Sequence, residues 1–214
     1  MREFLSPGDV VVDAGAYKGG YTYWMRKHVG TSGQVFAFEP QPELAEFLRR
    51  AMEAFSWSNV HVEQAGLSAR RGEGTLHVPT AKPSQRASLG GASTAGTVRS
   101  FKVRLESLDE FLTKHCQDRR VALIKCDVEG HELDVFQGAE RVLKSDRPSL
   151  LFECEARHRR GGLVDDVFEY LQLLGYRGSF FWAGKLRDVR DFDVAEHQVE
   201  GRRPYANNFL FEYP

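Results

Sequence analysis

Cysteine is scarce in this chain. Cys116, Cys126 and Cys154 are its three cysteines in 214 residues. They are widely spaced, and two lie in apolar runs where small buried thiols are common, a pattern that suggests a reducing compartment. Charge of one sign is lacking too. Lys and Arg number 29 against 30 for Asp and Glu, so the overall field gives no reason to expect a phosphate-backbone partner, and nucleic acid is not the default substrate. Nowhere are there ~18 consecutive apolar residues of the kind that span a bilayer. Met1 to Gly8 shows no basic segment followed by an apolar core. A soluble cytoplasmic protein with no membrane partner is expected. No stretch reads as a linker, so residues 1–214 are taken as one domain large enough for a substantial core.

What the chain does have is alternation. Val10 to Ala14 is a short apolar run, followed by a glycine-rich loop and a helical segment from Tyr21 to Val29. Gln34 to Phe38 is a second strand, and from Gln41 to Phe55 the residues Leu44, Phe47, Leu48, Ala51, Met52 and Phe55 form a helical stripe. A third strand is expected at Val60 to Gln64. Gly74 to Val78 and Val98 to Leu105 read as two strands of a small hairpin insertion, about residues 72–105. The Ala-, Ser-, Gly- and Thr-rich stretch between them, 80–97, is read as a mobile excursion, either a lid over the site or an insertion with no role. Alternation resumes with strands at Val121 to Cys126 and Ser149 to Cys154 and helices at His131 to Lys144 and Leu163 to Leu174, the last stopped by Gly175. Arg177 to Trp182 and Asn207 to Tyr213 close the sheet as an antiparallel pair. The expected fold is α/β and Rossmann-like: a seven-stranded, mostly parallel sheet, helices on both faces, right-handed crossovers and a C-terminal antiparallel hairpin.

In such a sheet ligands bind at the carboxyl ends of the strands, where the first strand-to-helix loop lies. Here that loop is VVDAGAYKGGYT, residues 11–22. Its pattern is D-x-G-x-x-x-G and not the G-x-G-x-x-G that cradles a pyrophosphate. A carboxylate at Asp13 is poorly placed beside a pyrophosphate but suits the positively charged methionine portion of S-adenosylmethionine. Glu39, at the end of the second strand, stands where a carboxylate can accept both ribose hydroxyls of an adenosine. An ordinary tight turn with a surface Glu is the bland alternative.

A second segment, LIKCDVEGHELDVFQGA at 123–139, places Asp127 and Glu129 just past a buried strand at the same sheet edge. A site is one reading. The other is that Gly130 permits a turn and the acids, Glu132 included, cap a helix. His131 is open to two readings as well, a base or a solvent-facing first-turn histidine.

These segments resemble the FkbM-type methyltransferases, a branch of the class I S-adenosylmethionine-dependent fold. VVDAGAYKGGYT at 11–22, FEP at 38–40, GLS at 66–68, ASL at 87–89, LESLDEF at 105–111 and IKCDVEGHELDVFQGA at 124–139 fall in the family's order over roughly residues 9 to 155. The resemblance implies S-adenosyl-L-methionine as donor and O-methylation of a small molecule, a natural product or a sugar hydroxyl. It implies a donor site of Asp13, Gly15, Ala16, Tyr17, Gly19 and Thr22 at the methionine end, Glu39 and Pro40 at the ribose, and Gly66, Leu67 and Ser68 at the adenine. Asp127 and Glu129 would face the methyl-transfer centre.

Methyl transfer is an in-line displacement that needs alignment and exclusion of water. A hydroxyl acceptor also benefits from a base or cation. Asp127 is the candidate base, with Glu153 and His158 as further catalytic candidates from the next strand end. Asp127, Glu153 and Glu155 together would make an oxygen-rich site of the kind Mg²⁺ prefers, although a metal is not the main expectation. Arg157, His158, Arg159 and Arg160 are read as a solvated loop or as an attractor of an anionic acceptor. Phe180, Phe181 and Trp182 are read as sheet packing or as the contact of a homodimer. The competing functions are an NAD-dependent oxidoreductase, disfavoured by Asp13 and the missing third glycine, and a non-catalytic methyltransferase-like subunit. The [ND]-P-P-[YF] signature of exocyclic amino-group methylation is absent, and DVEG stands in its place.

Overall fold

Strand β1 (Val10–Ala14) is five consecutive buried residues, and such a run is stable only in the middle of a sheet covered on both faces. A computed structural model places it there, and the structure describes residues 4–79, 98–116, 119–158 and 164–214; of Pro79, Val98 and His158 only the backbone is described. The 80–97 excursion and the ASL segment at 87–89 lie outside the described residues.

The first half of the sheet is built from β1, helix α1 (Gly20–Val29), β2 (Gln34–Phe38), α2 (Pro42–Ala54) and β3 (Val60–Glu63). A two-residue strand, β4 (Gly66–Leu67), and the hairpin β5 (Gly72–Pro79) and β6 (Val98–Glu106) follow, joined by α3 (Leu108–His115) to the second half. That half holds β7 (Val121–Cys126), α4 (Glu132–Gln137), α5 (Glu140–Ser145), β8 (Ser149–Glu153), a 3₁₀ turn at Ala156–His158, α6 (Val164–Leu173), β9 (Arg177–Trp182), β10 (Lys185–Asp188), α7 (Val194–His197) and β11 (Asn208–Glu212). The main sheet runs β10-β9-β11-β8-β7-β1-β2-β3, with β4, β6 and β5 forming a separate three-stranded sheet. The five strands from β3 to β8 are parallel, and β11 is antiparallel to both its neighbours.

The fold is thus α/β with a large, mostly parallel sheet, and it differs from the sequence expectation in four details. Eight strands form the sheet where seven were expected, because the polar segment Lys185–Asp188 adds an edge strand to β9. The terminal pair is antiparallel, but β11 inserts between β8 and β9. In α2 the buried stripe is Ala45, Leu48 and Met52, which leaves Phe47 and Phe55 about half exposed. The helix expected from His131 to Lys144 is two helices, broken at Gly138 and Ala139.

That break has a tertiary cause. The Asp109 carboxylate accepts the Arg141 and Val142 amides at 2.7 and 3.0 Å, capping α5 from α3. The Gly138 carbonyl meanwhile accepts from the Asp109 amide and the Ser107 hydroxyl. At Gly138 a Cβ would stand 2.1 Å from the Ser68 carbonyl oxygen.

Alternation along the central strands sorts the core into two faces. Val10, Val12 and Ala14 of β1 pack with Phe136, Leu143 and Phe168 on one face, and Val11 packs with Met25, Val29 and Met52 beneath α1 and α2 on the other. Phe180 is fully buried in the first of these clusters, whereas Phe181 is exposed. Among the described residues no helix is long and apolar enough to cross a membrane.

Gly138→Ala is expected to cost about 1–3 kcal/mol through overpacking against the Ser68 carbonyl. Gly72→Ala, where nothing lies within 4 Å, should stay within about 0.5 kcal/mol of the parent. Urea unfolding of both variants measures the difference.

Candidate active site

The strand register brings two buried charges face to face. Asp13 of β1 pairs with Lys125 of β7 in neighbouring parallel strands, and their relative exposures are 0% and 4%. Lys125 Nζ lies 3.3 Å from Asp13 Oδ1 and 3.8 Å from Asp127 Oδ2, donates to the Gly15 carbonyl at 2.9 Å, and sits over the Tyr21 ring. Burial alone would push its ammonium down. The carboxylates of Asp13 and Asp127 outweigh burial and hold it above its ordinary value. The Thr22 hydroxyl, on α1, donates to Asp13 Oδ2 at 2.5 Å. Asp13 and Thr22 therefore lie beneath the glycine loop and tie it to the sheet, and neither lines the cleft above.

That cleft opens at the carboxyl ends of β1, β2, β7 and β8. Counted with its open mouth, it has about 880 Å³ of empty space. One wall is apolar: Phe38, Pro40, Ala65, Leu67, and Leu76 from the β5–β6 hairpin. The other is acidic: Asp127, Glu129 and Glu153. Glu39 lies between the two walls. Its Oε2 accepts the Tyr17 amide at 2.8 Å and its Oε1 accepts the Gln41 amide at 2.9 Å. Burial raises the Glu39 carboxyl above the ordinary range, and these two amides oppose the rise.

The glycine loop presents few donors. Gly15 and Ala16 amides both donate to the Phe38 carbonyl, the Tyr17 amide to Glu39, and the Gly19 amide to the Ala16 carbonyl. Gly15, at φ +76°, is required by close approach as well, since a Cβ there would stand 1.9 Å from the Asp127 carbonyl oxygen. Two non-glycine residues on the cleft rim, Tyr17 and Glu129, hold left-handed backbone at φ 49° and 55°, the kind of stored strain that clusters at ligand sites. The turn at Glu129 is completed by Gly130, whose amide donates to the Glu132 carboxylate at 2.8 Å. Glu132 thus supports the turn from within.

Beyond Asp127 and Glu129, two more acids end β8. Glu155 is buried and accepts from the Tyr205 hydroxyl at 2.9 Å, from Asn207 Nδ2 at 3.1 Å and from the Arg157 guanidinium. Burial would raise its carboxyl, but the Arg157 and Asn207 hydrogen bonds hold it below the ordinary value. Glu153 goes the other way. Burial, the Asp127 charge and a hydrogen bond with Glu155 push it up to about 8. Glu155 of the Mg²⁺ set expected from sequence is thus engaged by Arg157, Tyr205 and Asn207. Among the described residues no three His, Cys, Asp or Glu are placed to hold a metal ion.

The structure therefore brings Gly15, Tyr17, Glu39, Pro40, Gly66, Leu67, Asp127, Glu129 and Glu153 together around one cleft. Ala16 and Gly19 shape its loop from behind. Ser68 points away to His131, its Oγ 3.0 Å from Nε2. His131, whose Nδ1 is 3.3 Å from Asp134 Oδ2, is half-buried in this contact and does not face solvent freely. The His158 side chain, Arg159 and Arg160 lie outside the description, and Arg157 is bound to Glu155. Lys125, Tyr21, Gln41, Val128 and Leu76 were not singled out from sequence. Lys125 carried a signal, because a lone lysine inside an apolar strand needs a buried counter-charge.

The family model described as Methyltransferase FkbM domain matches residues 13–177. Methyltransferase 1 of Beauveria bassiana (strain ARSEF 2860) is 27% identical over 216 residues, covering 94% of this chain and 78% of that protein. Methyltransferase sdnD of Sordaria araneosa is 30% identical over 162 residues, covering 64% of this chain and 62% of its own length. Among solved structures, methyltransferase FkbM from Methylobacillus flagellatus KT shares the fold with a TM-score of 0.62 at 18% identity; 97% of this chain is covered but 44% of that one. A SAM dependent methyltransferase from Aquifex aeolicus gives a TM-score of 0.51 at 17% identity, covering 99% of this chain and 85% of the other.

Two outcomes are expected of the charged groups. Lys125→Met strands Asp13 without its cation and should cost about 3–5 kcal/mol in urea unfolding, part of it recovered in the Asp13→Asn/Lys125→Met double variant. Glu153 binds its proton more tightly folded than unfolded, so its stabilising contribution is complete below its ordinary value of 4.5 and is lost as pH rises through about 8. The Tm of Glu153→Gln should therefore gain on the parent between about pH 5 and 8.5, as read by calorimetry.

Proposed function

The chain belongs to the methyltransferase FkbM domain family, and from that premise we propose that its cleft binds S-adenosyl-L-methionine and that the enzyme methylates a hydroxyl of a small-molecule acceptor. One observation carries this reading: an apolar wall faces a wall of carboxylates, across a glycine loop whose Gly15, Ala16, Tyr17 and Gly19 amides are already engaged. A pyrophosphate needs unengaged amides or basic side chains. Among the described lining residues none is basic. A ligand with positive charge and an adenosine suits the same walls, which favours the sulfonium donor over a dinucleotide.

When bound, S-adenosylmethionine supplies an electrophilic methyl group. The chain's residues supply placement. Glu39 has both oxygens anchored by backbone amides, so its carboxylate is fixed before any sugar hydroxyl reaches it. Leu67, Phe38 and Leu76 offer the apolar surface that suits an adenine face. Asp127 and Glu129 stand at the cleft's acidic end, where cationic charge is stabilised and where the acceptor must enter. Asp13 contributes indirectly, by holding Thr22 and Lys125 under the loop.

The acidic end also bears on the acceptor. Asp127 and Glu129 repel an anion, and Arg157 is engaged by Glu155. A neutral hydroxylated acceptor fits better than a phosphorylated or uronic one. The β5–β6 hairpin closes one side through Leu76, which helps to exclude water.

Titration calorimetry should show S-adenosylmethionine binding and no NAD binding. Glu39→Ala should weaken the donor by about 1–3 kcal/mol, the cost of unpaired ligand hydroxyls, or roughly 5- to 150-fold in Kd. NAD binding in place of S-adenosylmethionine would overturn the reading. Transfer of tritiated methyl across panels of neutral and anionic hydroxyl compounds then tests the acceptor class.

A further inference from the structure

The carboxyls at the cleft's acidic end differ in what holds them. Asp127 lies 3.8 Å from the Lys125 ammonium. Glu155 is locked in its charged form by Arg157, Tyr205 and Asn207. Glu153 lines the cleft between these two, hydrogen-bonded to Glu155 and repelled by Asp127 and Glu129. Two acids that share a hydrogen bond need one proton between them, and Glu155's cationic partner leaves that proton on Glu153. Among the described residues, the other charged or titratable groups near it are Tyr21 from α1, Tyr205 before β11, and Lys125, which already faces Asp13 and Asp127.

We propose that Glu153 exchanges its proton for a cationic ligand: it is protonated in the empty cleft, loses the proton as the sulfonium donor enters, and so becomes the carboxylate that takes the acceptor's proton. The inference rests on the donor reading given above. Charge conservation at the site supports it. A cation entering beside Asp127, Glu129 and Glu153 stabilises a third negative charge there, and the proton leaves to solvent. During transfer the acceptor's O–H bond breaks as its oxygen bonds to the methyl carbon, and the carbon–sulfur electron pair remains on sulfur. The proton passes to Glu153. Sulfur thus loses a positive charge as Glu153 gains one, and the net charge of the cleft is unchanged across the step. Asp127 is less suited to this task, because its carboxylate already faces the Lys125 ammonium at 3.8 Å.

The test is proton release on binding, measured by calorimetry near pH 7 in phosphate and in Tris, whose ionisation heats differ. S-adenosylmethionine should release a substantial fraction of a proton, and S-adenosylhomocysteine, with a neutral sulfur, distinctly less. Below the titration of Glu153, affinity for the cationic ligand should climb toward about tenfold per pH unit, while that for the neutral one stays nearly level. Glu153→Gln should bind both ligands with the difference in release abolished. The comparison of ligands on the parent protein requires no variant to fold. Equal release for the two ligands, or an undiminished difference in Glu153→Gln, overturns the inference while leaving the donor site standing. If S-adenosylmethionine does not bind at all, the donor reading falls and this inference falls with it.

Discussion

A single ammonium group buried at the centre of a parallel sheet organises the loops above it. The Lys125 ammonium keeps its charge while almost fully buried because the Asp13 and Asp127 carboxylates face it. The pairing of Lys125 with Asp13 fixes β1 against β7. Through the Gly15 carbonyl it also anchors the first turn of the glycine loop, and through Thr22 the first turn of α1. Asp127 extends the chain of charges into the cleft. The glycine loop at the cleft is therefore held from below by an ion pair.

Much of this fold was legible in the chain itself. The bounds of β1, β2, β7 and β9 are those read from the chain, and the first three are closed by Gly15, Glu39 and Asp127. Glu39 and the pair Asp127 and Glu129 were placed at the strand ends where the cleft lies. The misreadings share one cause, which is contact between parts distant in sequence. The apolar stripe of Leu133, Phe136, Ala139 and Leu143 continues across the gap between α4 and α5, so periodicity cannot show a break imposed by Asp109 and Ser68. For Asp13 the charge is visible in the chain and its buried partner, Lys125, is not. The edge strand β10 has no apolar pattern, and only its pairing with β9 defines it. Nothing local marks Leu76 as part of a wall; it is there because the hairpin leans over the mouth.

Electrostatics separates this cleft from others on similar sheets. A dinucleotide site leaves its loop amides open for phosphate oxygens, and here the β2 terminus and Glu39 have claimed them. Acids then gather at the ends of β7 and β8, as Asp127, Glu129 and Glu153. The same accumulation explains why one carboxyl, Glu153, is driven toward its neutral form while its neighbour Glu155, only two residues on, is driven toward its charged form. The difference lies in Arg157, Tyr205 and Asn207, which reach Glu155.

The far rim of the sheet has a consequence for how these molecules behave in a crowd. A strand that ends a sheet offers its unmatched N–H and C=O row as a template for another chain. In β10 that row belongs to Lys185, Leu186, Arg187 and Asp188, all exposed, so three of its four side chains are charged. A second copy approaching parallel and in register would bring like charges together over a contact only four residues long. The polar edge strand thus acts as a gatekeeper, letting the aromatic residues of β9 belong to a sheet without seeding a fibre.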